Sequence, residues 1–157
     1  MLTFAISGTR KGMTDPQIGT FCRIIDSCPK IVRHGDCVGV DADAHRIVRE
    51  WFGDSTCIHI HPPKDSKCRA MCGNLDDGPT QVHTEAPYLK RNRTMVDKSD
   101  VVLAFPGGFR EERRSGTWSV IRYAKKTGKQ LHVVFPDGTI DSTAGPSTPS
   151  AASSSSS

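Results

Sequence analysis

The sequence predicts an α/β fold, an open parallel sheet of about five strands in the order 3-2-1-4-5 with helices on both faces. Three observations predict it. Short apolar runs alternate along the chain with segments whose apolar residues recur at helical spacing. Most of these runs give way to a turn bearing glycine or proline. The run Val101-Val102-Leu103-Ala104-Phe105 is apolar without alternation, as in a strand buried on both faces.

Leu2 to Ile6 reads as the first strand, and Ser7-Gly8-Thr9-Arg10 follows it as a turn offering a hydroxyl, a glycine and an arginine. Thr14-Asp15-Pro16-Gln17 starts a helix, with Thr or Asp as cap and Pro in the first turn. Ile18, Phe21, Ile24 and Ile25 mark its apolar face, and it ends near Cys28-Pro29. Lys30 to Arg33 is the second strand. The segment from His34 to Asp41 is glycine-rich and placed where a strand gives way to a helix, so Gly35 and Gly39 can bring backbone close to a ligand. There Asp36 and Asp41 are placed to hold a ribose or a magnesium ion, or to brace the turn, with Asp41 as the helix cap. Ala44, Ile47, Val48 and Trp51 form the buried face of the second helix, which Gly53 stops.

Thr56 to His61 is the third strand, closed by Pro62-Pro63. Residues 64–84 show neither period and read as a long loop, a lid over the ligand end of the sheet. Glu85 to Asp97 is a helix carrying Tyr88, Leu89, Met95 and Val96 on its apolar side, with Arg91 and Asn92 elsewhere. After the strand Val101 to Phe105, Pro106-Gly107-Gly108 opens a loop that closes at Ser115-Gly116-Thr117, the start of a helix running to Lys126. Unpaired N–H groups and a partial positive charge at that helix start suit a phosphate or carboxylate. Leu131 to Phe135 is the last strand. The domain is expected to span residues 1–137, and 138–157 to be a disordered Ser-rich tail.

With this order the topological switch lies between the first and fourth strands, where the loops at Gly8 and Gly107 meet, and ligands of open α/β sheets bind in such a crevice. The chain of 157 residues suffices for one domain with its own core. It has no apolar run long enough to span a bilayer and no secretory start, which points to a cytoplasmic protein without membrane contact. Its six cysteines are scattered through helix and strand patterns and read as reduced thiols. The net charge of +4 excludes little, but Lys90, Arg91, Arg93, Lys98, Arg110, Arg113 and Arg114 gather beside the predicted anion loop. Any one of them alone is equally well a solvated surface group. No cofactor is implied.

Three motifs in order, SGTR, HGDCVGVDADAH, and RNRTMVDKSDVVLAFPGG with SGTW, resemble the SLOG superfamily of Rossmann-like domains over roughly residues 3–137. The first two, with the RNR, SD and SGT pattern, are similar to the DprA family. Pro106-Gly107-Gly108 resembles the PGG of LOG phosphoribohydrolases. The resemblance implies a site for a nucleotide, a nucleotide derivative or nucleic acid, built largely from backbone amides with Arg and Asp support, and its residues here are Gly8, Thr9, Arg10, Gly35, Asp36, Gly39, Asp41, Arg91, Asn92, Pro106, Gly107, Gly108, Ser115, Gly116 and Thr117. The LOG pattern also implies a catalytic glutamate soon after GT. Here Trp118, Ser119 and Val120 follow, and six residues separate PGG from Ser115. Glu111 and Glu112 in that insertion, with Arg91, are the catalytic candidates, against their being a solvated charge cluster.

The readings that follow are a nucleotide-binding domain, a nucleotide N-glycosidase in the same pocket, and a single-stranded DNA binder using the basic residues with Phe109 and Trp118 as stacking platforms. A zinc site on His59, His61, Cys68 and Cys72 is weighed against ordinary exposed strand-end residues. Its spacing fits no structural-zinc pattern, so no metal is assigned. Tyr88, Leu89, Met95, Val96, Trp118, Val120, Ile121 and Tyr123 offer more apolar positions than one sheet face needs, which points to a homodimer, against their all being ordinary core.

Overall fold

Seven strands form one sheet in a computed structural model that describes residues 2–76 and 78–143. The strands are β1 Thr3–Gly8, β2 Ile31–His34, β3 Cys57–Ile60, β4 Thr80–Val82, β5 Val101–Phe105, β6 Gln130–Val134 and β7 Ile140–Thr143. The helices are α1 Asp15–Ile24, α2 Val40–Phe52, α3 Tyr88–Asp97 and α4 Gly116–Lys126.

The sheet order is β4-β3-β2-β1-β5-β6-β7, and only the β6–β7 pair is antiparallel. The expectation of five parallel strands is thereby corrected. The five foreseen strands keep their mutual order in the middle, and each edge gains a strand. β4 lies inside the stretch expected to be a loop and runs parallel to β3, although Val82 is its single apolar residue and is exposed. β7 follows a tight turn in which Gly138 takes a φ of 86° and Gly138 N–H donates to Phe135 O at 2.8 Å. The ordered chain therefore continues past residue 137 to Thr143, and the remainder of the expected tail, residues 144–157, lies outside the described residues.

Alternation along each strand divides the core. Phe4, Ile6, Val32, Ile58, Ile60, Leu103 and Phe105 point to the face covered by α1 and α2, where they meet Phe21, Val40, Ala44, Ile47 and Val48. Ala5, Val102, Ala104, Leu131 and Val133 point to the other face, against Met95 and Val96 of α3 and Trp118, Val120, Ile121 and Ala124 of α4. Five of the eight residues that suggested a dimer, Met95, Val96, Trp118, Val120 and Ile121, are thus core of a single chain. Trp51, expected on the buried face of α2, is instead 52 % exposed, and Leu89 is 53 % exposed.

α1 starts with a capping box. Thr14 Oγ1 accepts from Gln17 N–H, and Gln17 Oε1 accepts from Thr14 N–H. The same fully buried Gln17 donates from Nε2 to Pro106 O and Val134 O, so one side chain clamps α1 to the ends of β5 and β6 and fixes where the next loop starts. Among the described residues no helix is long and apolar enough to cross a membrane, and all six cysteines are free.

Candidate functional site

A cleft of about 410 Å³ opens at the carboxyl ends of β1 and β5. It lies at the topological switch, because β1 pairs with β2 on one side and β5 on the other. Ser7, Gly8, Thr9, Arg10 and Lys11 from the first loop form one wall, and Gly107 with Ser115, Gly116, Thr117 and Trp118 the opposite one. Cys37 in the turn before α2, Asp41 in the first turn of α2, Tyr88, Arg91 and Asn92 of α3, and Glu112 and Arg114 of the long loop complete it.

The first loop is held by backbone. Thr9 N–H donates to Phe105 O, and Thr9 O accepts from Gly12 and Val40 N–H. Gly39, with a φ of 95°, passes so close that an added Cβ would sit 2.4 Å from Thr9 O. Gly8 is equally constrained, since a Cβ there would lie 2.4 Å from the Val40 side chain. Across the cleft, Ser115 caps α4 by accepting from Trp118 N–H. Gly116 and Thr117 open that helix, so their N–H groups have no intrahelical acceptor, and Gly116 faces open space.

Arg91 is 6 % exposed and its Nη1 donates to Gly35 O at 2.7 Å and His61 O at 2.9 Å, while Nε donates to Asn92 Oδ1. Its guanidinium, 5.1 Å from the Tyr88 ring centre, therefore ties α3 to the ends of β2 and β3 as well as lining the cleft. Gly35 provides the room for it: a Cβ there would be 2.1 Å from Arg91 Nη1.

Asp41 is buried. Its Oδ2 accepts from Gly35 N–H at 3.0 Å and Cys37 N–H at 3.2 Å, whereas Oδ1 is buried with no hydrogen-bond partner among the described residues. Burial pushes its pKa up to about 6, against the opposing pull of Arg91 and the two N–H donors. Asp41 does not cap α2 as expected, because that position belongs to Gly39; it braces the preceding turn.

Of the sequence-predicted residues, Gly8, Thr9, Arg10, Asp41, Arg91, Asn92, Gly107, Glu112, Ser115, Gly116 and Thr117 come together in the cleft. The others do not line it. Gly35 and Gly39 act behind it as described. Pro106 gives its carbonyl to Gln17, and Gly108 lies away from the lining. Glu111 turns outward to Arg122, its Oε2 accepting from Nη1 at 2.7 Å, with both side chains about half exposed.

Asp36 is buried beyond the cleft, where Oδ2 accepts from Arg69 Nε and Oδ1 from Cys72 N–H. Burial raises its carboxyl, but these hydrogen bonds outweigh that and hold it below the ordinary carboxylate range.

Sequence reasoning missed Lys11, Cys37, Tyr88 and Arg114 as cleft residues. Lys11 directly follows the first motif, Cys37 lies inside the second, and Arg114 belongs to the basic cluster. Trp118 reaches the cleft but is 8 % exposed, which leaves little of its ring for base stacking. The other aromatic, Phe109, is exposed and stacks on Phe135.

The described residues of 64–84 do not roof the cleft, contrary to expectation, since none of them lines it. They are fastened beside α2 and β3. Ala70 N–H donates to Asp36 O, and Asp76 accepts from Arg49 Nε at 2.7 Å, from His45 Nε2 at 2.8 Å and from Thr80 Oγ1. Behind Asp76 the chain of bonds continues inward, from His45 Nδ1 to His34 Nε2 at 2.8 Å and from His34 Nδ1 to Asp36 N–H. Burial lowers His34 to about 3, so it is neutral and donates through Nε2.

Cys72 sits with His34 and His45, not with His59 and His61 as the weighed zinc set required. His59 and His61 instead join His83. Burial holds His59 at about 4 and His61 at about 2, with Arg33 and the neighbouring imidazoles acting in the same direction.

Comparison of the chain with protein-family models, with curated proteins and with solved structures found no match.

Proposed function

We propose that the cleft binds a nucleotide or a nucleotide derivative, with its phosphate on the free amides of Gly116 and Thr117 and the side chains of Arg10 and Arg114, and its sugar toward Asp41. One observation carries the reading. Among the described residues Asp41 Oδ1 is a buried acceptor without a partner, inside a cleft whose other ionic groups are the cations Arg10, Lys11, Arg91 and Arg114 and the acid Glu112. An unmatched buried acceptor is costly in the free protein and is matched by a ligand hydroxyl or amine. Cations and helix-start amides at the other end suit a phosphate. The SLOG resemblance supports the same class of ligand.

Titration of the chain with AMP, ADP-ribose and inorganic phosphate, followed by thermal unfolding, tests this. A ligand at about a hundredfold over its Kd adds about 2.7 kcal/mol, on the order of 5–10 °C for a domain of this size. Gly116→Asp puts a carboxylate at the start of α4 where nothing lies within 4 Å of the new Cβ, so the fold is kept and phosphate is repelled. No shift with any phosphorylated compound, or the same shift in Gly116→Asp, overturns the reading.

Glu112 favours a second reading, N-glycosidic cleavage, because it is the one nominated glutamate in the cleft with Arg91. Release of free base from nucleoside monophosphates that is lost in Glu112→Gln supports it. Tight binding without release removes it.

A further inference from the structure

The face of β2, β3 and β4 that α1 and α2 leave uncovered contributes no residue to the second core, which draws its strand residues from β1, β5 and β6. That face carries Arg33, His59, His61 and His83. His59 and His61 share it because they are two apart along an extended segment. β4 brings the third. Ile60 pairs with Val82 in parallel register, and His83 N–H donates to Ile60 O, so His83 falls beside His61. Their rings stack with centroids 4.1 Å apart and planes 8° apart. His59 Nδ1 lies 2.8 Å from His83 Nε2, and one nitrogen of each ring lies within 4.8 Å of the other two. Nitrogens around a tetrahedral ion with bonds of 2.0–2.1 Å are about 3.3 Å apart, so modest ring rotations convert this arrangement into a ligand set.

Arg33 reports the direction of the lone pairs. Its Nη1 is 3.3 Å from His59 Nδ1 and 3.1 Å from His61 Nε2. A guanidinium has donors only, so both imidazole nitrogens are acceptors and unprotonated. Two lone pairs thus converge on one cationic nitrogen. The Nε2 proton of His83, which His59 Nδ1 also accepts, moves to His83 Nδ1 on a change of tautomer and frees the third. Among the described residues Arg33 forms no ion pair with a carboxylate, and its Nε is buried without a partner. The guanidinium is therefore held at this point by the imidazoles and not by an acid.

We propose that His59, His61 and His83 form a binding site for a divalent transition metal of the zinc class, with a fourth position open to solvent and Arg33 turning aside as the ion enters. Three imidazoles without a carboxylate suit Zn²⁺, Co²⁺, Ni²⁺ or Cu²⁺ and not Mg²⁺ or Ca²⁺. Three protein ligands leave room for a water, as in zinc sites that act on substrates. The site is separate from the cleft, since none of its ligands lines it.

The test is a Co²⁺ titration of the full chain without a purification tag, read by visible absorption, with Zn²⁺ competition for affinity. The expected result is one equivalent bound with the intense bands of four-coordinate cobalt. His59→Ala and His83→Ala should each weaken binding by at least roughly tenfold. Arg33→Met removes the competing cation and should tighten binding by about tenfold. Cys72→Ser reports on the separate His34, His45 and Cys72 group and should change nothing. Absence of uptake by the unaltered chain, unchanged affinity in His83→Ala, or loss in Cys72→Ser overturns the proposal. So does weaker binding in a folded Arg33→Met; should that variant not fold by circular dichroism, His83→Ala and Cys72→Ser decide alone.

Discussion

Asp41→Asn is expected to stabilise the protein above pH 6. The Asp41 carboxyl is displaced by burial from 3.8 to about 6. Its folded pKa is raised, so between these values the folded state binds more protons than the unfolded state and stability falls as pH rises. The displacement corresponds to about 3 kcal/mol of destabilisation once both states are ionised. In the variant, the amide oxygen can still accept from Gly35 and Cys37 N–H, and the amide nitrogen replaces Oδ1. That nitrogen lacks an acceptor, but so does the Oδ1 hydroxyl of the protonated parent, so the two costs nearly cancel at low pH. The variant should therefore match the parent to within about 1 kcal/mol at pH 4 and be more stable by about 2–3 kcal/mol at pH 8.

The depressed histidines act in the opposite sense. The unfolded state binds protons on His34 and His61 at pH values where the folded state does not, so their contribution rises with pH through the range up to about 6.5. They are present in both proteins and cancel in the difference. Urea unfolding by circular dichroism between pH 4 and 8 gives that difference directly. A gap between the two proteins that stays constant across this range would refute the assignment of a raised pKa to Asp41.

Two further substitutions test the framework around the cleft. Gly35→Ala places a Cβ 2.1 Å from Arg91 Nη1 and must displace the guanidinium from Gly35 O and His61 O; a loss of about 1–3 kcal/mol in urea unfolding is expected, together with weaker ligand binding. Asp76→Ala leaves Arg49 and His45 without their buried carboxylate and should cost about 3–5 kcal/mol at pH 7. Hydrogen bonds from Arg49, Thr80 and Gly78 outweigh burial and hold the Asp76 carboxyl well below the ordinary range, so its contribution is present above pH 4 and fades as pH falls further; a mutant deficit that persists undiminished at pH 2 would contradict this.

What the sequence determined by itself is what short-range physics encodes. β1 and β5 are apolar runs, β2, β3 and β6 keep apolar residues such as Val32, Ile58, Ile60, Leu131 and Val133 at core positions, and the start of α1 is written in Thr14, Pro16 and Gln17. Given alternating strands and helices, right-handed crossovers and short connections leave few orders, so the switch point between β1 and β5 and the cleft at Gly8, Gly107 and Gly116 followed.

The tertiary structure decided what depends on partners far along the chain. β4 and β7 are polar edge strands with exposed Val82 and Ile140, held by backbone pairing to β3 and β6, and backbone donors are the same in every sequence. Glu111 and Glu112 are neighbours in sequence, yet one pairs with Arg122 and the other faces the cleft. Gly35 serves Arg91, and His61 meets His83, through contacts set by how strands and helices stack. Whether a carboxylate braces a turn, bonds an arginine or keeps one oxygen free depends on which groups arrive within about 3 Å of it, and that is a property of the packed chain.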